Sequence, residues 1–509
     1  MLDFSCRFAL ESGSVALLRY QSEHIRSNVP VSSFAREFDM GPPMEKNALP
    51  TSPQDAVDRR QFLKQAGNVL AGSATALSAR SYARVLGAND RIRLAQLGCG
   101  GRSRGHVHMV HMAADRSPVE VVAVCDIWSM ARDSRANQVK EIFGSAPTTH
   151  KYSEEMLSRS DIDGVMIATG DFQHAKLCLE VVQAGKDCYV EKPFANVLEE
   201  AKATRDAVKA SKQVVQMGTQ HRSQAYSLAV RDIIRSGRIG EVVRITQEWN
   251  VNQPRWRYIR RLDDGKNPPL LREEDTDWKR WLLGKPYRPF DPHVYLEFRL
   301  YRDFSAGIFD QWLCHGSDLV HLWTDESYPV SAAATGAILT WKDGRENPDN
   351  ATVTLLYPKG FIYTYSTTFS NSYRSYSRIQ GRDGTIENYG GEGASLFLVT
   401  NEGGKQDIDP ESGRGPTYTA PPGMGPDLDH PEIVRVPNAP VPNSHGPSDD
   451  DVDHLMNWLN AIRDRKQPNA TVDHGFSHAI VCIMAAQSLW SGKRLYWDPS
   501  KEEIIDHPV

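Results

Sequence analysis

The residues that could do chemistry begin with a glycine-rich turn, Gly98-Cys99-Gly100-Gly101-Arg102-Ser103-Arg104-Gly105, directly after the apolar run Ile92-Arg93-Leu94-Ala95-Gln96-Leu97. A buried strand that ends in such a turn and opens a helix leaves backbone N–H groups free for an anion, and dinucleotide-binding domains start this way. Gly98 allows the tight turn and Gly100 lets the backbone approach a pyrophosphate, while Cys99, Gly101 and Arg102 complete the cradle. Ser103 holds the last position of the G-x-G-x-x-G pattern, which wants a small residue for helix–strand packing. A second apolar run, Val121 to Cys125, ends in Asp126. That acid lies somewhat beyond the roughly 20-residue offset at which a carboxylate meets the adenosine ribose hydroxyls. A carboxylate there repels a 2′-phosphate, so NAD is favoured over NADP, although Arg102 and Arg104 would suit a phosphate. A strand-end acid can also cap the next helix; the glycine turn beside it favours the cofactor reading.

The next chemical landmark is Glu191-Lys192-Pro193, at the end of the apolar run 187–190. Ligands of open α/β sheets bind at the carboxyl ends of the strands, so a lysine there can meet a substrate oxygen beside a nicotinamide. Solvation of the amine at a Lys-Pro turn is the plain alternative.

With these stretches the chain resembles the Gfo/Idh/MocA family of glucose–fructose oxidoreductase and inositol dehydrogenase. The resemblance is carried by Leu97 to Gly101, Ile167-Ala168-Thr169 with His174, Ala184-Gly185-Lys186, Glu191-Lys192-Pro193, Gly218 to Arg222, Trp278 to Leu282 and Leu495 to Pro499. It implies a Rossmann domain, an α/β domain with a large open sheet, and homo-oligomers built through that sheet. It implies cofactor contacts at Thr169, His174, Glu191 and Lys192, with Lys192 also the lysine that meets substrate. The family's catalytic helix reads Asp-x-x-x-His-x-x-Asp. Here His315 and Asp318 match, and Gln311 stands at the first acid position. On an α-helix, residues at i, i+4 and i+7 share a face, so Gln311 would orient the imidazole without stabilising its cation. Asp310 is turned off that face and is a poor substitute. His315 is then expected to be less basic than in relatives that keep the acid, or else to be a core histidine bonded to Asp318.

The elements that must position these residues follow from periodicity. Apolar runs at 92–97, 121–125, 164–168 and 187–190 predict buried parallel strands, with helices over 131–143, 172–184 and 196–210. This gives a doubly wound Rossmann domain over 90–215. A helix over 224–236 and strand-like runs at 242–249, 330–341, 351–357, 360–369, 376–380 and 394–399 predict a second α/β domain over 216–509. Tyr363, Tyr365, Thr367 and Phe369 alternate as one face of a half-buried strand, so that sheet is expected to be mostly antiparallel. Residues 414–450 are dense in Pro, Gly and Asp and predict an irregular excursion; helices over 450–465 and 473–491 close the chain.

The remaining histidines and aromatics carry weaker signals. His106, His108 and His111 predict a partly exposed helix face, without a carboxylate to complete a metal site. His474 and His478 could face one metal, but capping of that helix by Asp473 is the simpler reading, and no metal is expected. The aromatic stretches from Trp249 to Tyr258 and from Tyr287 to Tyr301 could stack on a sugar or pack the sheet.

The 509 residues carry a net charge of −5, with 40% hydrophobic and 24% charged residues, an ordinary globular balance without the basic excess of a nucleic-acid binder. Seven scattered cysteines include no C-x-x-C pair. Asp58-Arg59-Arg60-Gln61-Phe62-Leu63-Lys64, an Ala/Gly/Ser-rich stretch and Ser81-Tyr82-Ala83 resemble a twin-arginine export signal over 59–83. Residues 1–58 are expected to be disordered, either as a long leader or because the start codon is placed too early, with Met44 a candidate true start. The translocation machinery is thus an expected partner and the periplasm the expected location, with cofactor loaded before export and held afterwards. The expected activity is hydride transfer between a nicotinamide cofactor and a sugar or polyol. The resemblance also admits a glycosidase that oxidises its sugar transiently at C3, and a binding protein that keeps only the fold.

Overall fold

The computed structural model describes residues 91–253, 271–373, 375–388, 396–402, 431–436 and 449–509. The leader, the export segment and most of the 414–450 excursion lie outside the described residues.

Six strands form the first sheet: β1 (Ile92–Leu97), β2 (Val119–Cys125), β3 (Thr148–His150), β4 (Gly164–Ile167), β5 (Asp187–Val190) and β6 (Val215–Met217). All pair in parallel, in the order β3-β2-β1-β4-β5-β6. The strands run outward in both directions from β1 and β4, so the sheet has its topological switch point between those two. The expected runs fall on β1, β2, β4 and β5. The sequence pattern misses β3 and β6, which are three residues long; β3, Thr-Thr-His, is half exposed at the edge. One face packs against helix Gly101–Ala114 through Val107, Met109 and Val110. The late helix Asp449–Asp464 returns to this same face, burying Leu455, Trp458 and Leu459. The opposite face buries Leu177 and Val181 of helix His174–Gln183 and Ala201 of helix Leu198–Ala210.

Ten strands form the second sheet. They are β7 (Val242–Asn250), β8 (Ser331–Ala337), β9 (Asn350–Leu356), β10 (Ile362–Thr368), β11 (Tyr376–Gly381), β12 (Gly384–Asn388), β13 (Leu396–Asn401), β14 (Glu432–Arg435), β15 (Leu495–Asp498) and β16 (Glu503–Ile505). The order is β14-β13-β12-β11-β7-β10-β9-β8-β15-β16, and every pair is antiparallel except β7 with β10. Tyr363, Tyr365, Thr367 and Phe369 are all buried on one face, as their alternation predicts. Two expectations change. The strand expected to reach 341 stops at Ala337, because the Asp349 carboxylate takes the backbone N–H groups of Leu339, Thr340 and Trp341. The excursion expected to be irregular carries β14, a short β-branched segment paired with β13.

Helix Cys314–Thr324 lies directly on this sheet. A Cβ on Gly316 would sit 2.5 Å from Gln247 Oε1 and 2.7 Å from Tyr363 Oη, so only glycine permits this approach. His315 immediately precedes this glycine on the same helix.

Candidate active site

A cleft of about 810 Å³ lies at the carboxyl ends of the first sheet, bordered by Gly98, Asp126, Thr169, His174, Lys192 and His315. Its floor is the switch point. Gly98 adopts φ +87°, and a Cβ there would lie 2.6 Å from the Ala168 carbonyl, so the loops after β1 and β4 meet only because this residue is glycine. A Cβ on Gly100 or Gly101 would meet nothing within 4 Å. That backbone faces open space at the start of helix Gly101–Ala114, where N–H groups and the helix dipole favour an anion. Ser103 is fully buried, as close helix packing requires.

Asp126 stands at the tip of β2. Its Oδ2 accepts from Cys99 N at 2.7 Å and its Oδ1 from Trp128 N at 2.8 Å. Burial raises its pKa against the lowering effect of these two amides and of Arg132 and Arg135. Asp126 therefore braces the glycine turn from the cleft side. Cys99 contributes its amide, while its side chain is buried away from the cleft.

Four buried polar atoms of residues lining the cleft have no hydrogen-bond partner among the described residues: Thr169 Oγ1, His174 Nε2, Arg299 Nε and His315 Nδ1. His174 Nδ1 donates to the Pro193 carbonyl at 2.7 Å, which fixes the tautomer and leaves Nε2 as an acceptor. Glu191 is held on the other side. Arg102 Nε reaches its Oε1 at 2.6 Å and His106 Nε2 lies 2.9 Å from the same oxygen. Burial would raise the Glu191 pKa, but Arg102 and His106 outweigh it and hold the carboxylate well below the usual range. His106 is thus fully buried, not on a partly exposed face as the sequence suggests, because its ring spans Glu191 and Gln96.

Lys192 donates from Nζ to the backbone carbonyl of Gln311 at 2.7 Å. Residues Phe309–Leu313 form a π-helical turn, a feature that recurs at functional sites. The Gln311 side chain does not turn to His315: its Nε2 donates to Asp171 Oδ2 at 2.7 Å. The expected imidazole–amide contact is therefore absent, because a buried acid from the first domain draws the amide away. Asp318 does not hold the imidazole either. It faces Arg222 Nη1 at 3.0 Å, and burial, opposed by that guanidinium, pushes its carboxyl up to about 6. Among the described residues His315 Nδ1 has no hydrogen-bond partner, and the ring meets His221 edge-on with centroids 4.5 Å apart. Burial, then the neighbouring His221 and Lys192, drive the His315 pKa well below the usual imidazole range.

Asp171 and Arg299 carry no motif signal in the sequence, and His221 and Arg222 stand out there only within the stretch Gly218 to Arg222 that carries the family resemblance. Asp171 immediately follows the strand-end Thr169-Gly170, and the strand-end rule alone could have flagged it. His474 and His478 do not face a common ligand: His474 Nδ1 accepts from Thr471 N at 3.0 Å and His478 Nε2 from Phe194 N at 3.1 Å. Thr471, not Asp473, stands at the head of that helix, and Asp473 pairs with Lys209.

Residues 92–219 match the family description "Oxidoreductase family, NAD-binding Rossmann fold", and residues 284–496 match the same family's "C-terminal alpha/beta domain". The chain belongs to the Gfo/Idh/MocA family. Its first domain is an NAD-binding Rossmann domain, and the open glycine backbone, Asp126 and the unpartnered Thr169 and His174 atoms fit that cofactor. Among curated relatives, this Gfo/Idh/MocA protein is 23% identical to a glycosyl hydrolase family 109 protein of Shewanella baltica, over 85% of this chain and 93% of that one. It is 24% identical, with the same coverage, to an alpha-N-acetylgalactosaminidase of Shewanella oneidensis. Solved structures share the fold. The WlbA dehydrogenase of Bordetella pertussis, in complex with NADH and UDP-GlcNAcA, has a TM-score of 0.55 at 17% identity, covering 80% of this chain and 99% of that one. Levoglucosan dehydrogenase with NADH has a TM-score of 0.58 at 16% identity, covering 82% and 99%.

Proposed function

We propose that this protein oxidises a ring or polyol hydroxyl of a carbohydrate with NAD. The observation that carries the reading is that His315 borders the same cleft as Lys192 and the glycine turn, with burial favouring its neutral form. A neutral imidazole can accept the hydroxyl proton, and positioned general bases typically contribute about 10²–10⁴-fold. The Lys192 ammonium stabilises the negative charge that develops on the same oxygen. Bound NAD supplies a reversible two-electron acceptor. Glu191, tied to Arg102 and His106, fixes the main chain beside Lys192, and Asp126 selects the cofactor without a 2′-phosphate.

A second reading is glycoside cleavage, favoured by the two Shewanella relatives whose names describe glycosidases and which align along almost their whole length. Oxidation of a ring hydroxyl acidifies the adjacent C–H. Loss of that proton expels the aglycone, water adds, and the electrons return to the ring, so NAD is not consumed. His315 and Lys192 serve both readings.

The test incubates purified protein with p-nitrophenyl α-N-acetylgalactosaminide and with a panel of free sugars and polyols. Nitrophenol release without net NADH supports cleavage, and NADH formation on a free sugar supports the dehydrogenase. Neither signal from protein shown to bind NAD removes both readings and leaves a ligand-binding role. Export by the twin-arginine route and assembly through the second sheet complete the proposal. Retention in the cytoplasm of a protein with Arg59→Lys and Arg60→Lys tests the first, and light scattering tests the second.

A further inference from the structure

Three residues of the second domain converge on one buried carboxylate of the first. Asp171 follows Gly170 on the loop after β4 and is fully buried. Its Oδ2 accepts from Gln311 Nε2 at 2.7 Å and from Ser305 Oγ at 2.8 Å, and its Oδ1 lies 3.2 Å from Arg299 Nη2. Gln311 returns a contact to the first domain, because its main-chain carbonyl accepts from Lys192 Nζ at 2.7 Å. The amide side chain of one residue is thus tied to the loop after β4, while its backbone ties the lysine after β5.

Two physical points give this chain of contacts a purpose. A lysine side chain carries about 2 kcal/mol of rotamer entropy, and one carbonyl can hold it only if the carbonyl is itself fixed. Gln311 sits in the π-helical turn, where the regular ladder is interrupted, so a side-chain anchor must supply what the helix does not. A buried charge, in turn, survives only when paired and hydrogen-bonded. The two donors bond Asp171 Oδ2, and Arg299 supplies the ion pair at Oδ1, which accepts no hydrogen bond among the described residues. The second carboxyl nearby, Asp310, shares Ser305 at 3.3 Å; burial, and then the neighbouring Asp171, raise its pKa, which favours its neutral form.

We propose that Asp171 is a positioning residue for Lys192, acting through Gln311. The proposal deepens the reading in which Lys192 meets the substrate oxygen and rests on it for catalytic consequence. The geometric part stands apart from that reading and is tested apart from it.

The test measures the rate at which Lys192 is methylated by formaldehyde and borohydride in the full chain, peptide by peptide in a mass spectrometer, with Lys209 as an exposed internal reference. Asp171→Ala and Gln311→Ala are expected to raise the Lys192 rate about threefold or more, and the double variant to add nothing further, as for two links in one chain. Asp171→Asn keeps an oxygen for Gln311 Nε2 and is expected to stay within about twofold of the parent. The affinity for NAD stays unchanged in Gln311→Ala. An unchanged Lys192 rate in Asp171→Ala and Gln311→Ala overturns the proposal, and so do additive effects of the two. If Asp171→Ala does not fold, Gln311→Ala and Asp171→Asn decide the question between them. Turnover of p-nitrophenyl α-N-acetylgalactosaminide, read in parallel, separates the two layers. Altered labelling with no turnover in any protein leaves the positioning intact and removes the proposed reaction.

Discussion

Lys192 Nζ stands 2.7 Å from the Gln311 carbonyl, which joins the end of β5 to the π-helical turn that opens the His315 helix. The contact sets the lysine beside the imidazole without using its charge against an acid. An ammonium held by one neutral carbonyl keeps its charge available to a developing alkoxide. Lys192→Ala is expected to lower kcat about 10²–10³-fold, the usual loss on removing one such electrostatic partner. Its NAD affinity should fall far less than kcat, because the glycine turn and Asp126, which make no use of Nζ, remain in place. Lys192→Arg should not restore the rate, since a planar guanidinium cannot take the place of a compact ammonium. Steady-state kinetics with tryptophan-quenching titrations of NAD check both parts. A Lys192→Ala protein with parental kcat would remove the role.

Asp126 does two things at once, and its substitution should show both. It receives the amides of Cys99 and Trp128 and presents its carboxylate to the cleft. Asp126→Ala is expected to weaken NAD binding about tenfold, near 1.4 kcal/mol, and to narrow the preference for NAD over NADP by a similar factor. Calorimetric titration with both nucleotides measures this. An unchanged preference would show that the acid only braces the turn.

The parts of this site that sequence made legible are those encoded locally. Gly98 to Gly101, Asp126 and Lys192 each sit at the end of an apolar run, so strand periodicity alone places them on one edge of one sheet. His106 was misplaced because helix position does not reveal that a distant Glu191 lies within 2.9 Å. Gln311 was placed on the His315 face by counting 3.6 residues per turn, and the π-helical turn breaks that count. Asp171 carried no periodic signal, and its partners Arg299, Ser305 and Gln311 lie more than a hundred residues away. Two of the six strands in the first sheet escaped because three residues are too few to show alternation.

Gly98 offers a clean test of the switch-point geometry. It combines φ +87° with a forbidden Cβ, 2.6 Å from the Ala168 carbonyl and 2.8 Å from Thr169 Cγ2. Gly144 also has positive φ, +75°, but a Cβ there meets nothing within 4 Å. Gly144→Ala should therefore cost about 1–2 kcal/mol, the left-handed penalty alone. Gly98→Ala should cost clearly more, upwards of about 3 kcal/mol, because backbone must also move. Urea midpoints of the two variants measure the difference. Equal losses would mean that the loops after β1 and β4 are not held together at Gly98.

Acid should destabilise the fold through its histidines before its carboxylates. Burial lowers the pKa of His106, His150, His174, His315, His321, His454, His474 and His478, to about 4 for His454 and about 3 for His474 and His478. Each of these binds its proton in the unfolded chain at pH near 6.5 but not in the folded one. Where the unfolded state holds more protons, stability rises with pH, by about 1.4 kcal/mol per pH unit for each excess proton. The histidine contribution is therefore complete above about 6.5 and is lost as pH falls toward the folded values near 4 to 3. Asp126, Asp187, Asp310 and Asp318 act in the opposite sense, since burial raises them and the folded chain keeps their protons to higher pH. Eight histidines outnumber four carboxyls, so calorimetric Tm should fall from pH 7 to pH 5, with net proton uptake on unfolding. Activity should behave differently over the same range. With its pKa well below the usual imidazole range, His315 stays a neutral base, and the acid limb of kcat should lie below the ordinary histidine value near 6.5. A kcat that halves near pH 6.5, with the protein still folded, would mean that His315 is more basic than its burial allows, or that another group is the base.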